Sequence, residues 1–111
     1  MRISKNEQFL RYLIKCNKKD AVLKLRSATE EECKSVIELL LNAESHLDSK
    51  ELKTCKGQRI CAALKKLKKV SRKVLIKLFA KSFKQVISLI ALMLLCLFEN
   101  NLNKVYSLQD V

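Results

Sequence analysis

Proline and tryptophan are missing from this chain, and glycine occurs once in 111 residues. Hairpin turns, sheet corners and phosphate-cradling loops depend on glycine. A chain this poor in it points to helices joined by short polar turns and excludes the GxGxxG and P-loop classes. Aromatic residues reach only 5%, too few for the platforms on which single-stranded bases stack. The one histidine, His46, sits in a polar stretch with no cysteine or carboxylate partner pattern, so no metal ligand is assigned. There is no HExxH and no serine or cysteine nucleophile next to a base. Glu30, Glu31 and Glu32 read as a helix start and not as an acid pair. The chain is therefore expected to be non-enzymatic, with no catalytic residue and no cofactor.

The five cysteines, Cys16, Cys33, Cys55, Cys61 and Cys96, are odd in number and irregularly spaced, with no CxxC pair. They do not form a disulfide framework. They read as reduced thiols packed like small apolar side chains, which fits an intracellular, nuclear or virion-interior setting. The first thirteen residues carry Arg2, Lys5, Glu7 and Arg11 and no apolar segment, unlike a secretory signal.

Acidic residues are scarce in one region only. From Lys50 to Lys84 there are thirteen Lys/Arg against one acid, Glu51. The rest of the chain holds ten Lys/Arg and ten acids, so the whole net charge of +12 belongs to this block. A basic block on an otherwise balanced chain is an electrostatic footprint for polyanions, either nucleic acid or an anionic membrane face. Directly after it runs Val86 to Phe98 (VISLIALMLLCLF), thirteen residues without a charge.

Helical periodicity dominates the pattern. Ser4-Lys-Asn-Glu7 has the form of a capping box, and Phe9, Leu10, Leu13 and Ile14 follow at helical spacing, which predicts a first helix over 5–16. Asn17 with Asp20 opens a second, striped by Ala21, Val22 and Leu25. Thr29 with Glu32 opens a third, running to about Glu44. Asp48 with Glu51 opens a fourth near Ser49, which Gly57 breaks or bends and Ile60, Ala63, Leu64 and Leu67 continue. Ser71 opens the last, with Leu75, Leu78, Phe79, Phe83, Val86 and Ile87 on one side. The expected architecture is all-α: one small bundle of four to five helices with a long C-terminal helix. Helices one to three form the bundle, and the last covers it or projects from it. Along the chain, this gives an N-terminal helical part (1–48), a basic helical part (49–85), an apolar helix (86–98) and a polar tail (99–111), all within one domain.

Three functions fit this pattern. In the first, the block neutralises phosphates. Lys outnumbers Arg, and lysine acts as a point charge and does not make guanine-reading bidentate contacts. The expectation is thus non-specific nucleic-acid binding by Arg59, Lys65, Lys66, Lys68, Lys69, Arg72 and Lys73 in a structural or packaging protein. In the second, the protein associates with a membrane. Thirteen helical residues cover only about 20 Å of the roughly 30 Å hydrocarbon core. The run becomes twenty residues if it starts at Phe79, and Phe83, Ile87, Ile90, Leu94 and Phe98 then form the lipid-facing or oligomer-facing stripe. In the third, the surplus leucines at 39–41 and in the C-terminal run build a homo-oligomer interface.

Several segments also resemble a known family: FLRYLIKCNKKDAVLKL, then ATEEE with IELLLNAE, then LDSKEL, ICAALKKLKKVS and RKVLIKLF, together spanning about residues 9 to 80. In order and residue class they are similar to the small basic helical proteins encoded beside the capsid genes of Polinton/Maverick (adintovirus-like) elements. The resemblance implies a minor virion or core component associated with packaged DNA, with a membrane-active end. It carries over no functional residue.

Overall fold

Three helix starts form as the sequence spells them. The computed structural model describes residues 2–67 and 71–99, and at Asn17, Thr29 and Asp48 the side chain accepts a hydrogen bond from the backbone N–H three residues on. At Thr29 and Asp48 the box closes in both directions, with Glu32 and Glu51 accepting the N–H of the capping residue at 2.9 and 3.2 Å. The elements are α1 (Arg2–Lys5), α2 (Glu7–Lys15), α3 (Lys18–Ser27), α4 (Glu30–Leu41), α5 (Ala43–His46), α6 (Ser49–Thr54), α7 (Gly57–Lys65), α8 (Arg72–Lys81) and α9 (Phe83–Leu94). A π-helical turn, Leu95–Glu99, extends α9. Among the described residues no strand forms, so the fold is all-α.

The count of four to five helices is corrected to nine α-helical segments among the described residues. The extra breaks have local causes. Ser4 lies inside α1 and caps nothing, because Ile3 is buried and draws the preceding turn into a helix that packs on α4. Glu7 instead accepts a bond from the Arg11 guanidinium at 2.6 Å. The stretch after Leu41 is not an open polar connection. Asn42 turns the chain, and α5 then buries Ala43, with Leu47 buried just beyond it. At the α6–α7 corner it is Lys56 that takes the left-handed conformation (φ 58°), while Gly57 opens α7. α7 ends at Lys65, and its buried side is Ile60, Cys61 and Leu64, with Ala63 and Leu67 exposed.

The expected long last helix is two helices, bent by 110° at Ser82. Their patterns explain the division. α8 has one buried stripe, Leu75 and Phe79, opposite its lysines, so it fits the outside of the bundle. α9 is apolar nearly all round and needs neighbours on most sides, with Lys84 and Ser88 left exposed. It lies against α2, α4, α5, α7 and α8 and buries Val86, Leu89, Ile90, Met93 and Leu94. The apolar run is thus the centre of the bundle and not a cover over it. Most of the leucine surplus goes to the same core: Leu39, Leu40, Leu89 and Leu94 are buried, and Leu41, Leu92 and Leu97 pack against them. No single helix among the described residues is long and apolar enough to cross a membrane, and α8 and α9 reach that length only as the bent pair. The polar tail from residue 100 onward lies outside the described residues.

Candidate nucleic-acid interface

The basic block divides between two regions of the fold. Its first part, from α6 to the end of α7, leaves Lys50, Lys53, Lys56, Arg59, Lys65 and Lys66 exposed. Lys65 is paired, since its Nζ lies 2.7 Å from Glu44 Oε2 on α5, and that hydrogen bond raises the ammonium above its ordinary pKa. Lys68 and Lys69 lie outside the described residues. Arg59 and Lys66 have no ion pair among the described residues.

The second part is α8. Lys73, Lys77 and Lys81 stand at successive i, i+4 positions, which share one helix face. Each step is about 6 Å along the axis, close to two phosphate steps of about 3.4 Å each along one strand. All three are exposed and unpaired among the described residues.

Arg72 has a different place from the one its charge suggested. Its Nη2 donates to the Ala28 carbonyl at 2.5 Å, and its Nε is buried without a partner. Ala28 follows the end of α3, so Arg72 ties the start of α8 to the end of α3. The two helices, which pack side by side, therefore run antiparallel. Arg72 is corrected from a phosphate contact to a clasp between helices.

The α3–α8 pairing adds cations that linear reading assigned to the balanced part of the chain. α3 (KKDAVLKLRS) and α8 (RKVLIKLFAK) together hold eight Lys/Arg and one acid, Asp20. On α3, Lys18, Lys19 and Arg26 rim a shallow apolar depression floored by Val22 and Leu23. Lys24 is occupied, 5.0 Å above the Tyr12 ring. At the other end of the pair, Lys34 of α4 joins Ser71, Arg72 and Lys73 around a groove that also contains Glu30. No signal in the linear sequence placed Lys18, Lys19, Arg26 or Lys34 beside the block, because helix pairing is a tertiary contact.

Helix ends strengthen the positive field. α3, α4 and α6 each start with a side-chain cap and an acid in the first turn. In contrast, α7, α8 and α9 start with neither, and Ser71 occupies its N-cap position without making the cap bond. Among the described residues no side-chain cap or first-turn acid offsets the partial positive charge of those three helix starts, which adds to the adjacent lysines.

The second residue set divides as well. Ile90 and Leu94 are in the core, while Phe83, Ile87 and Phe98 are half-buried against it. Among the described residues the five cysteines are free, and none belongs to a group able to hold a metal ion. Burial pushes the Cys61 thiol up, helped by the charge of Glu44 and opposed by Lys65. Its Sγ donates to the Leu40 carbonyl at 3.3 Å. Compared with known proteins, the chain matches no family model, no curated protein and no solved structure.

Proposed function

We propose that the protein binds nucleic acid non-specifically through its phosphate backbone, as a structural or packaging component, and that the antiparallel α3–α8 pair is the main contact surface. The observation that carries this reading is that, with Arg72 and Lys24 engaged elsewhere, six Lys/Arg stand against one acid, Asp20, on those two adjacent helices. Lys73, Lys77 and Lys81 form the central stripe, Lys18, Lys19 and Arg26 extend it, and Arg59 of α7 and Lys66 just beyond its end contribute from the first region. Lysine point charges and the few aromatics suit backbone neutralisation more than base readout. The virion-core setting implied by the family resemblance belongs to this proposal.

The test is fluorescence anisotropy with duplex DNA across a salt series. Each phosphate contact contributes about 0.9 to the slope of log K against log salt. Changing Lys73, Lys77 and Lys81 to Gln is expected to flatten the slope by about 2.7. Changing Lys18, Lys19 and Arg26 to Gln is expected to flatten it further, although these residues lie outside the block. A slope unmoved by both sets refutes the reading.

A further inference from the structure

The geometry points to a discrete phosphate site in a small cleft between the α6–α7 corner and the first turns of α9. Thr54, Cys55 and Lys56 line one wall and Lys84, Gln85 and Ser88 the other. It shares no residue with the α3–α8 surface and does not depend on duplex binding there.

The cleft is held open by packing. A Cβ built on Gly57 would lie 2.9 Å from Leu89 Cδ1 and 3.0 Å from Leu52 Cδ2. The corner is therefore seated directly on α9, and this contact holds Lys56 across from Lys84. Neither lysine has an ion pair among the described residues. Glu51, the one acid of the block, has its carboxylate occupied by the Asp48 N–H. Gln85 and Ser88 offer an amide and a hydroxyl with no partner among the described residues. The Thr54 hydroxyl donates to the Lys50 carbonyl at 2.9 Å, so it can only accept in the cleft. The site thus presents two ammonium groups and two neutral donors.

The two lysines that line the cleft carry like charge, and a ligand of charge −2 complements both. That charge selects a phosphate monoester, near −2 above its second pKa of about 6, or free phosphate, whose second pKa is higher but still below pH 8, over a backbone diester of charge −1. The cleft, about 140 Å³ and open to solvent, has room for a tetrahedral anion with a few waters. The uncapped starts of α7 and α9 adjoin Lys56 and Lys84 and favour the same charge.

The experiment is a ¹H–¹⁵N NMR titration of the full chain with inorganic phosphate at pH 8, with ionic strength held constant by chloride. The expected result is saturable shifts confined to 54–58 and 84–88. Lys56→Gln and Lys84→Gln, both at exposed positions, each weaken binding about tenfold, the worth of one charge-assisted bond. The Lys73, Lys77 and Lys81 to Gln variant is expected to keep full phosphate affinity even as it loses duplex affinity, which separates this site from the proposed function. Shifts spread equally over 73–81, or undiminished affinity in both cleft variants, overturn the site. Competition identifies the source of the phosphate. Displacement by a 5′-phosphorylated oligonucleotide and not by its 5′-hydroxyl twin assigns the site to a nucleic-acid end. Displacement by neither assigns it to free phosphate, and equal displacement by both overturns the preference for a dianion.

Discussion

Gly57→Ala sets two known effects against each other at the α6–α7 corner. Gly57 has a negative φ and opens α7, so alanine fits the backbone and gains at most about 1 kcal/mol of helix propensity, the value that applies in a helix interior. Against this, the new methyl would lie 2.9 Å from Leu89 Cδ1, 3.0 Å from Leu52 Cδ2 and 3.1 Å from Cys55 Sγ. Single leucine methyls can swing aside where there is room. Here Leu89, Leu52 and Cys55 are all buried, so relief on one side becomes overpacking on another. Overpacking costs about 1–3 kcal/mol, and the packing term wins by about 1 kcal/mol. Urea denaturation followed by circular dichroism reads this as a lower midpoint. With m of about 1–3 kcal/mol/M the shift is about 0.3–1 M. The neighbouring Lys56→Gly has the opposite sign. It removes a left-handed strain of about 1–2 kcal/mol, partly offset by about 0.4–1 kcal/mol of extra unfolded-chain entropy, and raises the midpoint. If Gly57→Ala is more stable than the parent by the full propensity gain, α9 does not press on the corner and the steric reasoning is refuted.

Other expected outcomes follow from the same structure. Arg72→Gln loses the bond to the Ala28 carbonyl and is expected to cost about 1–3 kcal/mol in denaturant unfolding with the DNA salt slope unchanged; a slope drop equal to that of Lys73→Gln would return Arg72 to the phosphate contacts. The raised pKa of Cys61 means the folded state holds its proton more tightly than the unfolded state, whose thiol has the ordinary value of 9.0. Its contribution is complete below that pH and is lost as pH rises from there through the folded value, with a slope of at most about 1.4 kcal/mol per unit. Cys61→Ala is expected to flatten the stability profile above pH 9 relative to the parent, and parallel profiles would contradict this. Ile90→Ala is expected to cost about 2–5 kcal/mol as a core cavity, whereas a membrane-inserting stripe predicts little loss of stability and reduced flotation with anionic liposomes. Thr29→Ala is expected to cost about 1 kcal/mol through the lost cap, read as a lower melting temperature.

Helix starts were legible in the linear chain wherever a side chain satisfies the backbone beside it. The Asn17, Thr29 and Asp48 caps are contacts over three residues, so spacing alone identifies them. The absence of proline and near absence of glycine, with apolar residues recurring at helical spacing, were enough for the all-α class. The concentration of charge in residues 50–84 was legible as well, since charge adds up along a chain whatever its shape.

Only tertiary contacts decided the rest, because they join residues far apart in sequence. The bend at Ser82 has no proline or glycine to announce it. It arises because α8 has one face to bury and α9 has nearly all of its surface to bury, Lys84 and Ser88 apart. That difference turned an apolar run of spanning appearance into the centre of the core. Pairing of α3 with α8 set the helix that carries Lys18, Lys19 and Arg26 beside the one that carries Lys73, Lys77 and Lys81. The same pairing removed Arg72 from that surface by giving its guanidinium a carbonyl forty-four residues away. Local hydrogen bonds and total charge are properties of neighbouring residues and of sums. Which cations share a surface depends on which helices pack, and that is settled by how the whole apolar core closes.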